Sequence, residues 1–335
     1  MPAQPVNPAD ARRSGWFARR QAALHRRTAH LSPTSRALLW STASGVAFAV
    51  LNALARQLAQ ELHPMQAQFL RYLFGVLVML PLFWHGGLAS LWPRNVGGQF
   101  VRGAVHTVGL LLWFSALPRI PLADMTAIGF TGPLFILIGA WLFLKEPMRW
   151  ERWAATAAGF AGMLIVLAPA LAATRGGAGA WGGHGFWHLV MLASAPVFAA
   201  SFLLNKALTR TESTAVIVLW QSLTVTLLTL PLALPVWQWP SAGQWLAFAV
   251  CGLLGSGGHY CLTRSFRFAD ISATQSVKFL DLIWAALLGL LLFADVPSGS
   301  TLAGGALICA ATLWLAHREA RRPAVPSSPP TPPRP

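Results

Sequence analysis

The sequence predicts an all-α integral membrane protein of ten transmembrane helices, arranged as two inverted five-helix repeats. Three observations carry this prediction. Of the 335 residues, 55% are hydrophobic and 10% charged, with a mean hydropathy of +0.53. A soluble domain carries roughly a quarter of its residues as charges, so most of this chain meets lipid. Apolar runs of the roughly 20 residues needed to cross a bilayer recur from Arg36 to His317 with short polar breaks. The two halves also share residue pairs in one order. With five helices per half, the second copy must start from the opposite side of the membrane.

Residues 1–35 read as a basic cytoplasmic tail. They hold Arg12, Arg13, Arg19, Arg20, Arg26 and Arg27 and lack the apolar core of a secretory signal. The first repeat occupies 36–170. Within it, helices are expected at Arg36–Gln60, Pro64–Trp84, Gln99–Leu117, Pro121–Leu144 and Arg152–Pro169. A Gly-rich linker over 171–185 follows. The second repeat, 186–317, is expected to form helices at Phe186–Leu208, Thr214–Leu234, Gln244–Thr263, Phe268–Phe293 and Ser300–His317. The tail 318–335 is rich in proline and serine and cannot build a core.

Charge placement orients these spans. With both termini cytoplasmic, the inner side holds the N-terminal arginines, Arg94, Lys145, Arg149, Arg152, Lys206, Arg210, Arg264, Arg267, Arg318, Arg321 and Arg322. The outer side keeps Arg56, Arg119 and Arg175, an asymmetry that follows the positive-inside rule of an inner-membrane protein. Trp84, Trp92, Trp150, Trp153, Trp187, Trp237 and Trp245 fall at expected span ends, where their amphipathic rings suit the headgroup zone. The net charge of +15 therefore sits in tails and loops, and nucleic acid is excluded as a partner. Cys251, Cys261 and Cys309 all lie in apolar segments without metal-ligand spacing, so no disulfide framework or metal site is expected.

The repeat shows as matched pairs. Ala43-Ser44 matches Ala193-Ser194, and Arg56 matches Lys206, at a shift of about 150 residues. Gly98-Gln99-Phe100 matches Gly243-Gln244-Trp245, Ala123-Asp124 matches Ala269-Asp270, and Thr126 lies opposite Ser272. Glu146-Pro147 has its counterpart in Asp295-Val296-Pro297.

Pro121-Leu122-Ala123-Asp124, Thr131-Gly132-Pro133 and Phe143-Leu144-Lys145-Glu146, followed by Gly159 and Gly162, resemble the end of an EamA domain of the drug/metabolite transporter superfamily. The stretch from Leu280 to Ile308 is similar to the family's C-terminal repeat. The resemblance implies ten helices, cytoplasmic termini and a central cavity between the halves. Val277, Lys278 and Phe279 stand where the first copy has Thr131-Gly132-Pro133, so a proline kink is expected in one half only.

Lys278 and Asp281 are the clearest candidates for substrate binding. An ionisable side chain inside a span costs about 2.5 to 3.5 kcal/mol on insertion scales, and their i,i+3 spacing puts them on one helix face. Lys278 would attract a carboxylate or ring acceptor. Asp281 would bind an amine or the coupling proton. The alternative is a closed ion pair that only orients helix 9.

Arg71 would steer an anionic group or snorkel to the outer headgroups, with Gln68 one turn before it. Asn52 and Gln221 would bond a ligand or a neighbouring helix. His106, His259 and Tyr260 would relay protons or pack, and Trp113 with Phe114 would stack on an aromatic ligand or on a helix. Pro133, with Gly129 and Gly132, would form a hinge in helix 4. Asp124 and Asp270 read as helix caps.

The expected function is secondary transport of a small organic metabolite by alternating access. Export of amino-acid-like metabolites or drugs is the first reading, and import of a cofactor such as riboflavin or S-adenosylmethionine the alternative. No GxxxxGK[ST] motif is present, so the chain itself does not spend ATP. The absence of HExxH and of clustered acids speaks against an intramembrane enzyme; a scaffold without transport would need no polar interior. Expected partners are the small-molecule substrate and membrane lipids. A homodimer is compatible with the sequence, and no cofactor is expected.

Overall fold

The computed structural model describes residues 31–83, 91–116, 131–174, 185–278 and 299–320, together with positions 280, 281, 283, 284 and 287. Residues 1–30 and 321–335, most of the Gly-rich linker, most of the second half of expected helix 9, and Trp84, Asp124, Thr126, Gly129 and Asp295 lie outside the described residues.

Among the described residues there are ten α-helices and no strand. They are α1 (Pro33–Glu61), α2 (Pro64–Met79), α3 (Val96–Ala116), α4 (Gly132–Leu144) and α5 (Trp150–Thr174), then α6 (Gly185–Leu208), α7 (Thr214–Ala233), α8 (Ala242–Phe268), α9 (Ile271–Lys278) and α10 (Gly299–Ala320). Local chemistry sets their starts. Ser32 caps α1 ahead of Pro33, Ser213 caps α7, and Ser241 with Gln244 closes a capping box on α8.

Several bounds differ from the expected ones. The described part of α4 begins at Gly132 rather than near Pro121, with Pro133 in the first turn, where proline costs no intrahelical bond. α8 runs on past Thr263 to Phe268 because nothing before Ala269 breaks it; Ala269 is extended (φ −147°, ψ 172°) and separates α8 from α9. Segments of α1, α6, α7 and α8 are long and apolar enough to cross a bilayer by themselves. The described apolar cores of α4 (Gly132–Leu144) and α10 (Leu302–Leu315) are shorter.

The packing is dominated by contacts between repeats and follows a two-fold exchange of each helix n with helix n+5. α1 packs on α8 as α6 packs on α3; α2 packs on α8 as α7 packs on α3; α4 packs on α6 as α9 packs on α1. The pairs α2·α7, α5·α10 and α4·α9 map onto themselves. Close approach at the crossings needs glycine. A Cβ on Gly252 of α8 would overlap the backbone of Phe74 and Gly75 on α2, and one on Gly103 of α3 would overlap Thr224 of α7.

End-to-end contacts give the relative direction of the copies. Ser265, near the end of α8, donates to Ala37 O at the start of α1, whereas Gln244 at the start of α8 donates to Glu61 at the end of α1. Gln66 at the start of α2 exchanges bonds with Gln238, just beyond α7. Asn205, near the end of α6, donates to Thr263, two residues before Ser265. α6 thus ends where α1 begins, and α7 runs against α2. The repeats are inverted. One end of the bundle carries Lys145, Arg149, Lys206, Arg210 and Arg267 and is called the basic end below.

Candidate substrate-binding site

Midway along the inter-repeat seam, polar side chains from both copies meet away from water. Arg102 is fully buried on α3 and donates to Gln221 Oε1 at 2.5 Å and to Ile217 O at 3.2 Å, both on α7. The Gly103·Thr224 approach brings this about: Arg102 adjoins Gly103, and Gln221 lies one turn before Thr224, so seating one pair seats the other. Gln221 Nε2 lies 3.4 Å from His259 Nε2 on α8.

His106, one turn after Arg102, bridges the copies in the same way. Its Nε2 is 3.1 Å from Tyr72 Oη on α2, and its Nδ1 is 3.3 Å from Ser201 Oγ on α6. The His106 and His259 rings cross nearly at right angles with centroids 5.5 Å apart. Buried polar groups are paired as a rule, yet Arg102 Nε, His259 Nδ1 and Gln68 Nε2 have no partner among the described residues. The cluster keeps unused donor and acceptor capacity.

Lys278 and Asp281 adjoin this cluster. Lys278 Nζ is 3.5 Å from Asp281 Oδ2, and the two side chains are 20% and 33% exposed, so the pair is not sealed in apolar packing. Lys278 Nζ also lies 5.4 Å from the centre of the Phe48 ring, which meets the His259 ring edge-on at 4.9 Å. Gly45 makes room for the pair, since a Cβ there would overlap the Asp281 carboxylate. Arg71 is half-buried, with its guanidinium 5.1 Å from the Tyr72 ring centre.

The structure therefore groups Gln221, His259, Arg71, Lys278 and Asp281, with His106 among them. It sets others apart. Trp113 packs against Phe114, Ala116 and Met191; Tyr260 meets Trp40 edge-on and joins an apolar cluster with Val216 and Leu219. Asn52 is exposed on α1, one turn after Phe48. Pro133 and Gly132 lie at the start of α4, so the described helix has no internal proline break, and Gly129 is outside the described residues. Arg102, Tyr72 and Ser201 belong to the cluster but carry no sequence signal beyond a lone polar residue in an apolar run. For Arg102 that lone charge, two turns into α3, was the available clue.

A second polar constellation joins the repeats at the basic end. The buried Glu146 carboxylate, after α4, accepts from Ile271 N (2.9 Å), Ser272 N (3.1 Å) and Ser272 Oγ (2.6 Å) at the start of α9. Arg152 of α5 donates to Asp270 Oδ2 at 3.0 Å and to Ser272 Oγ at 2.9 Å. α9 is thus capped by a carboxylate from the other repeat, while Asp270, expected as its cap, receives Arg152. These bonds tie the two repeats together across the seam at the basic end.

Comparison with known proteins agrees with this architecture. The sequence profile of the EamA-like transporter family matches residues 35–168 and 185–316. A riboflavin transporter of Rhizobium johnstonii is 34% identical over 288 residues, covering 85% of this chain and 92% of that protein. An S-adenosylmethionine uptake transporter of Rickettsia felis is 28% identical over 84% of this chain and 92% of that protein. A solved crystal structure superposes with a TM-score of 0.73 at 22% identity, covering 85% of this chain and 97% of the other, which supports the fold. With two matched copies, a transporter family and a multi-pass helical bundle, the chain is a transporter and not an enzyme: it belongs to the EamA-like transporter family of the drug/metabolite transporter superfamily.

Proposed function

We propose that this chain carries a small, polar, ring-bearing metabolite of the riboflavin or S-adenosylmethionine class across the inner membrane, with both termini cytoplasmic. The observation that carries the reading is the meeting of Tyr72, Arg102 and His106 from one repeat with Ser201, Gln221 and His259 from the other on the seam between inverted copies. Such a seam is where carriers of inverted-repeat design hold their cargo. Gln221, Tyr72 and the imidazoles offer directional hydrogen bonds to ring heteroatoms and hydroxyls. Phe48 offers a ring face, and Lys278 with Asp281 offers one charge of each sign. The related riboflavin and S-adenosylmethionine transporters support the substrate class.

Alternating access follows from the two constellations together. The latch of Glu146 and Arg152 on α9 and Asp270 closes the basic end in the described state and must release for cargo to pass there. Asp281 is the candidate coupling group, since a carboxylate beside the site gains or loses a proton as its Lys278 partner is displaced. Hinge motion about Gly129, Gly132 and Pro133 remains part of the proposal.

The test is flux into proteoliposomes. Riboflavin, S-adenosylmethionine and an amino-acid mixture are offered to the parent protein and to Gln221→Leu and Asp281→Asn. Saturable uptake of a ring compound that both substitutions reduce at least tenfold is expected. Saturable transport of amino acids alone would favour the export reading, and its direction is read by comparing right-side-out with inverted vesicles. No saturable flux of any compound by folded protein would overturn the proposal.

A further inference from the structure

The basic end holds a cavity of about 330 Å³ lined by Lys145, Glu146, Lys206, Arg210, Arg267 and Asp270 among others. Four cations thus face two carboxylates, and both carboxylates already have partners. Glu146 is occupied by three donors at the start of α9, and Asp270 by Arg152. Lys206 donates to the carbonyls of Phe266 and Ala269, neither of which neutralises its charge. Lys145, Arg210 and Arg267 are exposed and make no ion pair among the described residues.

Lys145 has a further peculiarity. It ends α4 in the left-handed conformation (φ 54°, ψ 35°) and is the one non-glycine residue with positive φ among the described residues. That position usually falls to glycine. Here a lysine occupies it, placing a cation on the cavity wall despite the backbone penalty. Strain of this kind gathers at functional positions.

We propose that this cavity binds a phosphate group, supplied by the headgroup of an anionic phospholipid at the membrane surface, with Lys145, Arg210 and Arg267 as its ligands. Guanidinium groups match phosphate oxygens in paired hydrogen bonds, and an ammonium adds a point charge. Anionic lipids concentrate at the membrane face where basic residues collect. The cavity borders the Glu146 latch, so an occupied site would sit against the contact between the end of α4 and the start of α9. The inference does not depend on which compound is carried, because the assay measures lipid binding and not flux.

The full-length protein in detergent is titrated with phosphatidylglycerol, with phosphatidylcholine and with soluble sn-glycerol phosphate, and bound molecules are counted by native mass spectrometry. Arg210→Gln/Arg267→Gln is compared with Arg94→Gln/Arg149→Gln, which removes the same charge from exposed positions outside the cavity. The cavity variant is expected to bind phosphatidylglycerol about 30-fold more weakly, at about fivefold per cation, with the control little changed. Arg210→Lys/Arg267→Lys should recover most of the binding. Lys145→Gly should lower binding while melting no earlier than the parent, which separates ligation from folding. Binding of glycerol phosphate with the same variant pattern would support the phosphate site and assign it a soluble source. Equal weakening by the cavity and control variants, or equal binding of phosphatidylcholine, would overturn the proposal in favour of diffuse attraction.

Discussion

Replacing Gln221 by leucine tests whether the polar seam holds the repeats together as described. Leucine has nearly the same volume, so the change leaves no cavity and removes only the amide. Arg102 keeps Ile217 O at 3.2 Å but loses its 2.5 Å bond to Gln221 Oε1, at a site where neither residue reaches solvent. A hydrogen bond to a charged group contributes about 1.5–3 kcal/mol. The 3.4 Å contact to His259 is too long to add much. The expected loss is about 2–3 kcal/mol, read from reversible denaturant unfolding in detergent by fluorescence of the 16 tryptophans. Gln221→Glu keeps an acceptor for Arg102 and should lie well above the leucine variant. A leucine variant within about 0.5 kcal/mol of the parent, the usual scatter of neutral changes, would refute the pairing. A glutamate variant no better than leucine would do the same.

Three further outcomes are expected. Lys278→Met or Asp281→Leu alone should destabilise by about 3 kcal/mol, because each strands one charge, while the double variant recovers most of that loss in the same unfolding assay and still lacks transport. Gly252→Val should cost about 1–3 kcal/mol by wedging α8 away from Phe74, whereas Gly257→Ala, with open space around it, should be neutral or slightly stabilising by melting temperature. A cysteine at Arg149 should react with an impermeant maleimide only from the cytoplasmic side; labelling from outside would reverse the proposed orientation.

Much of the architecture was readable before any coordinates, for a physical reason. Lipid imposes span length and makes charges within a span costly, so the helices from Arg36 onward announce themselves by composition. Paired motifs such as Gly98-Gln99 and Gly243-Gln244 expose the duplication. Facing was far less legible. α1 and α7 are apolar on nearly every side, so helical period could not show that Asn52 is exposed while Gln221 is buried. Tyr72 and Ser201 look like ordinary packing residues until α2 and α6 converge on His106.

Long-range pairing was equally hidden. Asp270 beside α9 reads locally as a cap, yet the capping carboxylate is Glu146, 125 positions earlier than Ile271. Nothing in local sequence reports such a partner. The lone Arg102 in α3 could have been flagged by the same insertion cost that singled out Lys278.

The central claim is that the two repeats part at the basic end during each transport cycle. Glu146→Cys/Ser272→Cys, in a background lacking Cys251, Cys261 and Cys309, places one thiol on each side of the contact that Ser272 Oγ now makes with the Glu146 carboxylate at 2.6 Å, for a short, reducible bis-thiol cross-linker to span. Proteoliposome flux is measured before cross-linking, after full cross-linking and after reduction of the linker. Flux is expected in the reduced protein, none in the cross-linked protein and recovery on reduction. Undiminished flux through fully cross-linked protein would contradict it.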